Sequence, residues 1–387
     1  MLLPELKTRR DKIRSLMAAQ QIDAALLTCN VNLLYTAGQI ISGYLYLPVD
    51  APARLFVKRP NNLEGEYIHA LHKPSELPAL IEACGLPLPG KLMLEGDELS
   101  YNEYSRLAAC FPEAEVVGCG TRLVRQARTV KTDYEIELFR RSGAAHAKAY
   151  EQIPSVYQPG MTDRQLSIEI ERLMRLEGCL GIFRVFGRSM EIFMGSLLAG
   201  DNATVPSPYD FALGGKGIDA SLPGGADGKQ LQAGQSLMVD MGGNFYGYMG
   251  DMSRVFSMGR LPQRAYDAHQ LCLDIQAEVT AMARPGVICE DLYNRAVSMV
   301  EKAGYADYFM GTQQQAKFIG HGVGLEINEM PVLAPRMKQE LEPGMVFALE
   351  PKIVLPGIGP LGIENTWAVT TEGVELLTIC VEEIVEL

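Results

Sequence analysis

The chain has 387 residues, a formal net charge of −12 and a pI near 5.1. With no basic stripe to offset that charge, the chain would repel phosphate backbones, which argues against nucleic acid as a partner. At 47% hydrophobic and 21% charged residues, the composition is that of a soluble globular protein with room for about two domains, neither disordered nor fibrous.

In chain order, the start MLLPELKTRRDK carries charge where a signal peptide needs an apolar run, and no later stretch is long and apolar enough to span a bilayer. A cytoplasmic protein is expected. Pro4–Gln20 has apolar residues at helical spacing (Leu6, Ile13, Leu16, Met17), and Asp23–Cys29 reads as a buried strand. Arg54–Lys58 and Lys91–Leu94 read as further strands, with an amphipathic helix near Leu77–Cys84 between them. These elements predict an α/β module. It closes around Arg125–Lys131, just before a capping box with Thr132 at the N-cap and Glu135 three residues on, so the predicted domains are residues 1–128 and 129–387. The eight cysteines are scattered, with no C-x-x-C pair, and read as reduced thiols, not as a disulfide frame or zinc knuckle.

The second domain repeats itself. Pro159-Gly160 opens an amphipathic segment that runs through Thr162, Leu166, Ile170 and Leu173 to Gly178. Pro285-Gly286 opens another, 126 positions later, through Leu292, Ala296 and Met299 to Gly304. In each, a Pro-Gly turn starts a helix and a glycine stops it. Further on, Leu231, Gly234 and Asp240 lie 110 positions before Leu341, Gly344 and Glu350. Ser236–Asp251 reads as a strand ending in Asp240, a Gly-rich turn and a returning strand that delivers Asp251. Met345–Glu364 reads as a β-rich run ending in Glu350, a Gly/Pro turn and a second acid, Glu364. The simplest picture is two α/β halves related by an approximate two-fold axis, with their hairpins facing each other. The extra residues of the first half fall in the glycine- and proline-rich loop Gly200–Gly228, which is expected near the mouth of a site.

Between the hairpins lies one histidine among glycines, Gly320-His321-Gly322-Val323-Gly324. Any one of these residues alone reads as an ordinary turn or loop residue. Together, four acids at matching strand ends need a cation or hydrogen bonds, because a buried unpaired carboxylate costs roughly several kcal/mol. Four carboxylates and one imidazole suit hard or borderline cations such as Mn, Fe, Co or Zn, which is the outline of a two-metal hydrolytic site.

Asp240-x10-Asp251, the glycine-flanked His321, Pro343-Gly344-Met345 leading to Glu350-Pro351, and Ile363-Glu364-x-Thr366 resemble the pita-bread family of methionine aminopeptidases, Xaa-Pro aminopeptidases, prolidases and creatinase. Arg9–Gly38 resembles the start of the amino-terminal domain of the prolidase, Xaa-Pro aminopeptidase and creatinase branch. The resemblance implies a pita-bread fold for the second domain and two divalent metal ions, manganese foremost. Asp240 would be a terminal ligand, Asp251 and Glu364 would bridge, and His321 and Glu350 would complete the second ion. A water shared by two cations is acidified towards neutral pH and can attack as hydroxide, with Glu350 as general base and then acid. A homodimer is implied as well, with the first domain of one subunit approaching the site of the other.

Several positions depart from the family. Where a His-Tyr is usual the chain has Asn202-Ala203-Thr204-Val205-Pro206-Ser207-Pro208-Tyr209, and where a His-Glu-x-Pro is usual it has Asn328-Glu329-Met330-Pro331. Gly362 stands where an arginine is common, and Asn365 where an aspartate is common. His146 and His269, on predicted amphipathic helices, are expected to be structural, and His69 and His72 belong to the first domain. Ser207, Tyr209 and Asn328 are the candidate substrate-binding donors, and Tyr209, Phe211 and Phe193 are candidates to line an apolar pocket. The expected activity is metal-dependent release of the N-terminal residue from short peptides, with Xaa-Pro bonds first. The alternatives are a non-peptide hydrolase or lyase acting on a small-molecule C–N bond, and a catalytically silent binding protein.

Overall fold

The computed structural model describes residues 2–187 and 190–387, and the chain divides into two compact units, Met1–Arg128 and Thr129–Leu387. In the first unit α1 (Leu2–Ala19) buries Leu6, Ile13 and Met17, the stripe its sequence spacing predicts. Six strands, β1 (Ala24–Leu27), β2 (Ser42–Pro48), β3 (Arg54–Arg59), β4 (Ile68–Ala70), β5 (Lys91–Leu94) and β6 (Glu115–Val117), form one mixed sheet in the order β4-β3-β2-β1-β5-β6. Helices α2 (Asn30–Ala37), α3 (Leu77–Ala83), α4 (Tyr101–Ala108) and α5 (Gly120–Thr129) complete it. Apolar periodicity does not mark α2. Its start is held by buried Glu95, which accepts from the backbone N–H of Thr28 at 2.6 Å and of Cys29 at 2.8 Å and from Asn32 Nδ2 at 2.6 Å, satisfying donors at a helix N-terminus.

The second unit begins with α6 (Asp133–Tyr150), entered through the Thr132/Glu135 capping box. After α7 (Ile153–Val156) and α8 (Asp163–Leu176) come β7 (Gly195–Ala199), β8 (Ser236–Phe245) and β9 (Tyr248–Ser257). The second half follows with α9 (Gln263–Met282), α10 (Cys289–Ala303), β10 (Gly320–Gly322), β11 (Glu329–Leu333), β12 (Val346–Leu349), β13 (Lys352–Leu355), β14 (Gly359–Gly362), β15 (Asn365–Val369) and β16 (Val374–Leu376). The short β17 (Val385–Glu386) returns to pair with β9, so the sheets run β17-β9-β8-β7, β11-β10-β12-β15-β16 and β13-β14. Leu166, Ile170 and Leu173 of α8 pack with Leu237, Val239 and Met252 in one core, and Leu292 and Ala296 of α10 pack with Phe347 and Leu349 in the other.

The internal repeat is written into the backbone. Gly160 and Gly286 both take left-handed φ (+90° and +86°) before their helices, Gly178 and Gly304 do so after them (+99° and +77°), and Gly234 and Gly344 do so ahead of the hairpins (+79° and +88°). Only glycine enters that region without cost. One expectation needs correction: Asp240 does not end its strand, because β8 continues to Phe245 and the turn is Tyr246-Gly247, both with positive φ (52° and 88°), the geometry of a two-residue hairpin loop. Gly242 and Gly243 stay in the ladder because other side chains crowd them. A Cβ at Gly243 would lie 2.8 Å from His146 Nδ1, and one at Gly242 would lie 2.9 Å from the Phe183 ring. All eight cysteines are free thiols, and no helix among the described residues is long and apolar enough to cross a membrane.

Candidate metal centre

On β8 and β9, Asp240 lies opposite Ser253 and Gly242 lies opposite Asp251. Residues two apart on a strand, and residues directly opposite on its partner, share a face. Asp240, Asp251 and Ser253 therefore project from one side of the hairpin.

The second hairpin is broken at Glu350-Pro351 and at Ile363-Glu364, yet its register carries across the break, with Leu349 opposite Asn365 before it and Lys352 opposite Gly362 after it. Glu350 thus falls opposite Glu364. His321 pairs with Ala348, two residues before Glu350, so His321, Glu350 and Glu364 also share a face. The hairpins are tied to each other by backbone hydrogen bonds in both directions between Ser253 and Glu364 (3.3 and 3.4 Å). Thr366 adds to this, with its hydroxyl accepting from Asp251 N at 2.9 Å and donating to Asp251 O at 2.8 Å. Behind them the buried Arg254 donates to Glu364 O (2.9 Å), Ser253 O (2.8 Å) and Asn365 Oδ1 (2.8 Å). Asn365 donates in turn to Gln276 Oε1 (2.9 Å) and Glu382 Oε1 (2.7 Å), which the aspartate common at this position in the family could not do.

The structure brings Asp240, Asp251, His321, Glu350 and Glu364 together, and it adds a residue that nothing in the motif pattern singles out. Lys352 is fully buried, and its ammonium donates to Glu350 Oε2 at 2.6 Å, Asp240 Oδ2 at 2.8 Å and Glu364 Oε2 at 3.0 Å. Strand alternation carries the signal that would have found it: Ala348, Glu350 and Lys352 fall on one face. It also stands directly across the hairpin from Gly362, where the family commonly has an arginine.

On the other side of Glu350, its Oε1 lies 3.4 Å from His321 Nε2, and Asp251 Oδ2 lies 3.6 Å from the same nitrogen. His321 Nδ1 is 3.2 Å from the Gly322 carbonyl, which can only accept, so a hydrogen bond there is donated by Nδ1, and Nε2 is the nitrogen that faces the carboxylates. That is the usual posture of a metal-ligating histidine. Ser253 Oγ donates to Glu364 Oε2 at 2.6 Å, which orients it. Ligand atoms of Asp251, His321 and Glu364 lie within 4.8 Å of one another, close to the spread that bonds of about 2.0–2.2 Å to one ion allow. The residues present therefore fit one divalent ion. The motifs lead one to expect two ions, and on the other side of Glu350 the Lys352 ammonium already holds one oxygen each of Asp240, Glu350 and Glu364.

Crowded acids show in the proton affinities. Burial first, and then Asp240 and Glu350 against the opposing pull of His321, push the Asp251 carboxyl up to about 7. Burial, Asp251 and Glu350 hold the Glu364 carboxyl well above the usual range. For Lys352, burial alone would lower the value, but Asp240, Glu350 and Glu364 together override it and hold the ammonium well above its ordinary value.

The three candidate substrate donors are placed as follows. Ser207 is buried, donates to Pro223 O at 2.6 Å and accepts from Tyr209 N at 3.2 Å. Asn328 clamps the backbone of Phe186, accepting from its N–H at 2.8 Å and donating to its carbonyl at 2.9 Å. The rings of Tyr209 and Phe211 meet at a tilt of 58° with centroids 5.3 Å apart, and both line a cavity of about 360 Å³ whose wall includes Phe318. The Phe318 ring lies 6.2 Å from the ring of His321. Phe193 is 56% exposed and is not part of that wall. His269 accepts from Gly362 N and faces the Glu382 carbonyl at 2.8 Å. His146 is sealed inside the first half, with no hydrogen-bond partner among the described residues. Neither ring has a hydrogen bond to any of the four acids.

Similarity to known proteins agrees with this geometry. Residues 137–371 match the metallopeptidase family M24, and residues 9–130 match the creatinase/prolidase N-terminal domain. An uncharacterized peptidase of Bacillus subtilis strain 168 is 26% identical over 390 residues, covering 97% of this chain and 99% of its own. The Xaa-Pro dipeptidase of Pyrococcus furiosus is 26% identical over 387 residues, covering 96% and 98%. Among solved structures, an Xaa-Pro dipeptidase from Bacillus anthracis superposes with a TM-score of 0.80 at 26% identity, over 99% of this chain and 100% of the other. The chain therefore belongs to metallopeptidase family M24, with a creatinase/prolidase-type N-terminal domain.

Proposed function

We propose that this chain is a metal-dependent peptidase that releases the N-terminal residue from short peptides, with Xaa-Pro bonds as its substrates and either dipeptidase or aminopeptidase action. The observation that carries the proposal is the convergence of Asp251 and Glu364, from the two repeated hairpins, with His321 on one metal-sized space, while Glu350 Oε1 lies 3.4 Å from His321 Nε2. The Xaa-Pro preference is supported by the names of relatives that match along nearly the whole chain. Manganese is the first ion to test, ahead of cobalt, zinc and iron, since the ligand types do not choose among them. A cytoplasmic homodimer is part of the same proposal, supported by the family resemblance.

A divalent ion bound there would polarise a scissile carbonyl and acidify water beside it. Asp251, His321 and Glu364 would hold it, and Ser253 and Arg254 keep Glu364 in position. Glu350 has one oxygen steadied by Lys352 and the other open towards His321. It takes the proton of the attacking water and returns it to the leaving nitrogen. The cavity walled by Tyr209, Phe211 and Phe318 receives a substrate side chain. A second proposal, a non-peptide small-molecule C–N bond as substrate, is favoured by one observation. The residues standing where the family has its two auxiliary histidines, Ser207 and Asn328, already hold loop backbone.

The test is hydrolysis of Xaa-Pro dipeptides, Xaa-Pro-Xaa tripeptides and non-proline controls by metal-free protein reloaded with Mn, Co or Zn, with Asp240→Asn alongside. Release of the N-terminal residue by the reloaded wild type, absent without metal, is the expected result. Bound metal without turnover of any peptide would refute the peptidase proposal in favour of the second.

A further inference from the structure

We infer that Lys352 is a built-in cation that replaces one metal of the centre, so that the protein binds a single divalent ion on the Asp251/His321/Glu364 side and keeps an ammonium between Asp240, Glu350 and Glu364. The inference rests on the metal-dependent proposal for the same site. Four observations carry it.

First, the three oxygens around Nζ come from both hairpins, at 2.6, 2.8 and 3.0 Å, so the ammonium stands between the two halves of the repeat, where a shared cation would stand. Second, an ammonium has three N–H donors and each meets one carboxylate. The group is saturated, with no donor left over for substrate, and acts as a charge-balancing and positioning residue. Third, its side chain is 1% exposed, so it has no solvent to swing into, and moving the charge away would leave three buried acids uncompensated. Fourth, Glu350 divides its oxygens between the two sides, Oε2 to Lys352 and Oε1 towards His321. The remaining compartment is the one whose ligand atoms meet at metal distance.

The charges agree with this arrangement. Four carboxylates carry −4, and one ammonium with one divalent ion brings the centre to −1. Two divalent ions added to the ammonium would make it +1 and would have to share the oxygens it already holds. The site is then a mixed centre, part metal and part organic cation, built on a two-metal framework.

The experiment is a metal count on the metal-stripped full chain dialysed against excess Mn²⁺, by elemental analysis and by isothermal titration, together with the electron paramagnetic resonance spectrum of the Mn-loaded protein. Wild type is expected to hold one equivalent and to show the six-line spectrum of an isolated Mn²⁺. Lys352→Ala, which opens the three-oxygen space, is expected to hold two equivalents and to show a spin-coupled spectrum. Two equivalents or a coupled spectrum in wild type would overturn the inference and leave the metal-dependent proposal standing. A folded Lys352→Ala protein that still holds one equivalent would overturn it equally. No bound ion in wild type would overturn the metal-dependent proposal itself, and this inference with it. If Lys352→Ala does not fold, the wild-type count and spectrum decide alone.

Discussion

Replacing Asp251 by asparagine should stabilise the metal-free protein and destabilise the metal-loaded one. The Asp251 carboxyl is pushed from an ordinary 3.8 to about 7, by burial first and then by the neighbouring acids. Between those values the folded protein keeps a proton that the unfolded chain has released. Stability therefore falls as pH rises through the window, and the whole cost is present above it. Three units at about 1.36 kcal/mol each come to roughly 4 kcal/mol, shared with Glu364, whose carboxyl is raised by the same crowding. In wild type this trend is partly hidden. Burial holds His146 down to about 3 from 6.5, so the unfolded chain takes up a proton that the folded one refuses, and stability rises with pH up to about 6.5. Comparing wild type with Asp251→Asn at each pH cancels the histidine. At pH 8 in chelator the variant should melt about 10 °C higher, at roughly 2–4 °C per kcal/mol for a unit of this size, and near pH 4 the two should coincide. In excess Mn²⁺ the order should reverse, because an ionised ligand has been lost. Scanning calorimetry at both pH values, with and without metal, makes the comparison. A variant that melts below wild type at pH 8 in chelator would refute the reasoning.

Ser253→Ala removes the 2.6 Å hydrogen bond that orients Glu364 and should weaken metal binding about 10- to 100-fold. Unchanged affinity by titration calorimetry would mean that Glu364 does not hold the ion. Asn365→Asp cannot donate to Gln276 and Glu382; Glu382 Oε1 keeps the Gln276 Nε2 donor, but the buried Gln276 Oε1 loses the Asn365 donor, which should cost about 1–3 kcal/mol in denaturant unfolding. No loss would show that Arg254 absorbs the change. Tyr209→Ala opens the wall of the cavity beside His321 and should raise KM with metal content unchanged, whereas altered metal content would argue against that placement.

Much of this protein is legible in sequence because it is local. The apolar stripe of α1, the Thr132/Glu135 capping box and the paired glycines at positions 160 and 286, 178 and 304, and 234 and 344 all depend on neighbours within a turn or two, and each appears in the structure as φ, cap or buried face. The acids and His321 were visible as a set because a repeat placed them at matching offsets. What sequence could not decide depends on partners from distant parts of the chain. Gly242-Gly243 reads as a turn until His146 and Phe183 are seen packed against it. Ser207 and Asn328 read as spare donors until their partners, Pro223 and Phe186, are in place. Lys352 reads as one charge in an apolar strand. Only when the two hairpins face each other does its ammonium meet acids from both, and a buried charge is tolerated where the tertiary fold brings its counter-charges within reach.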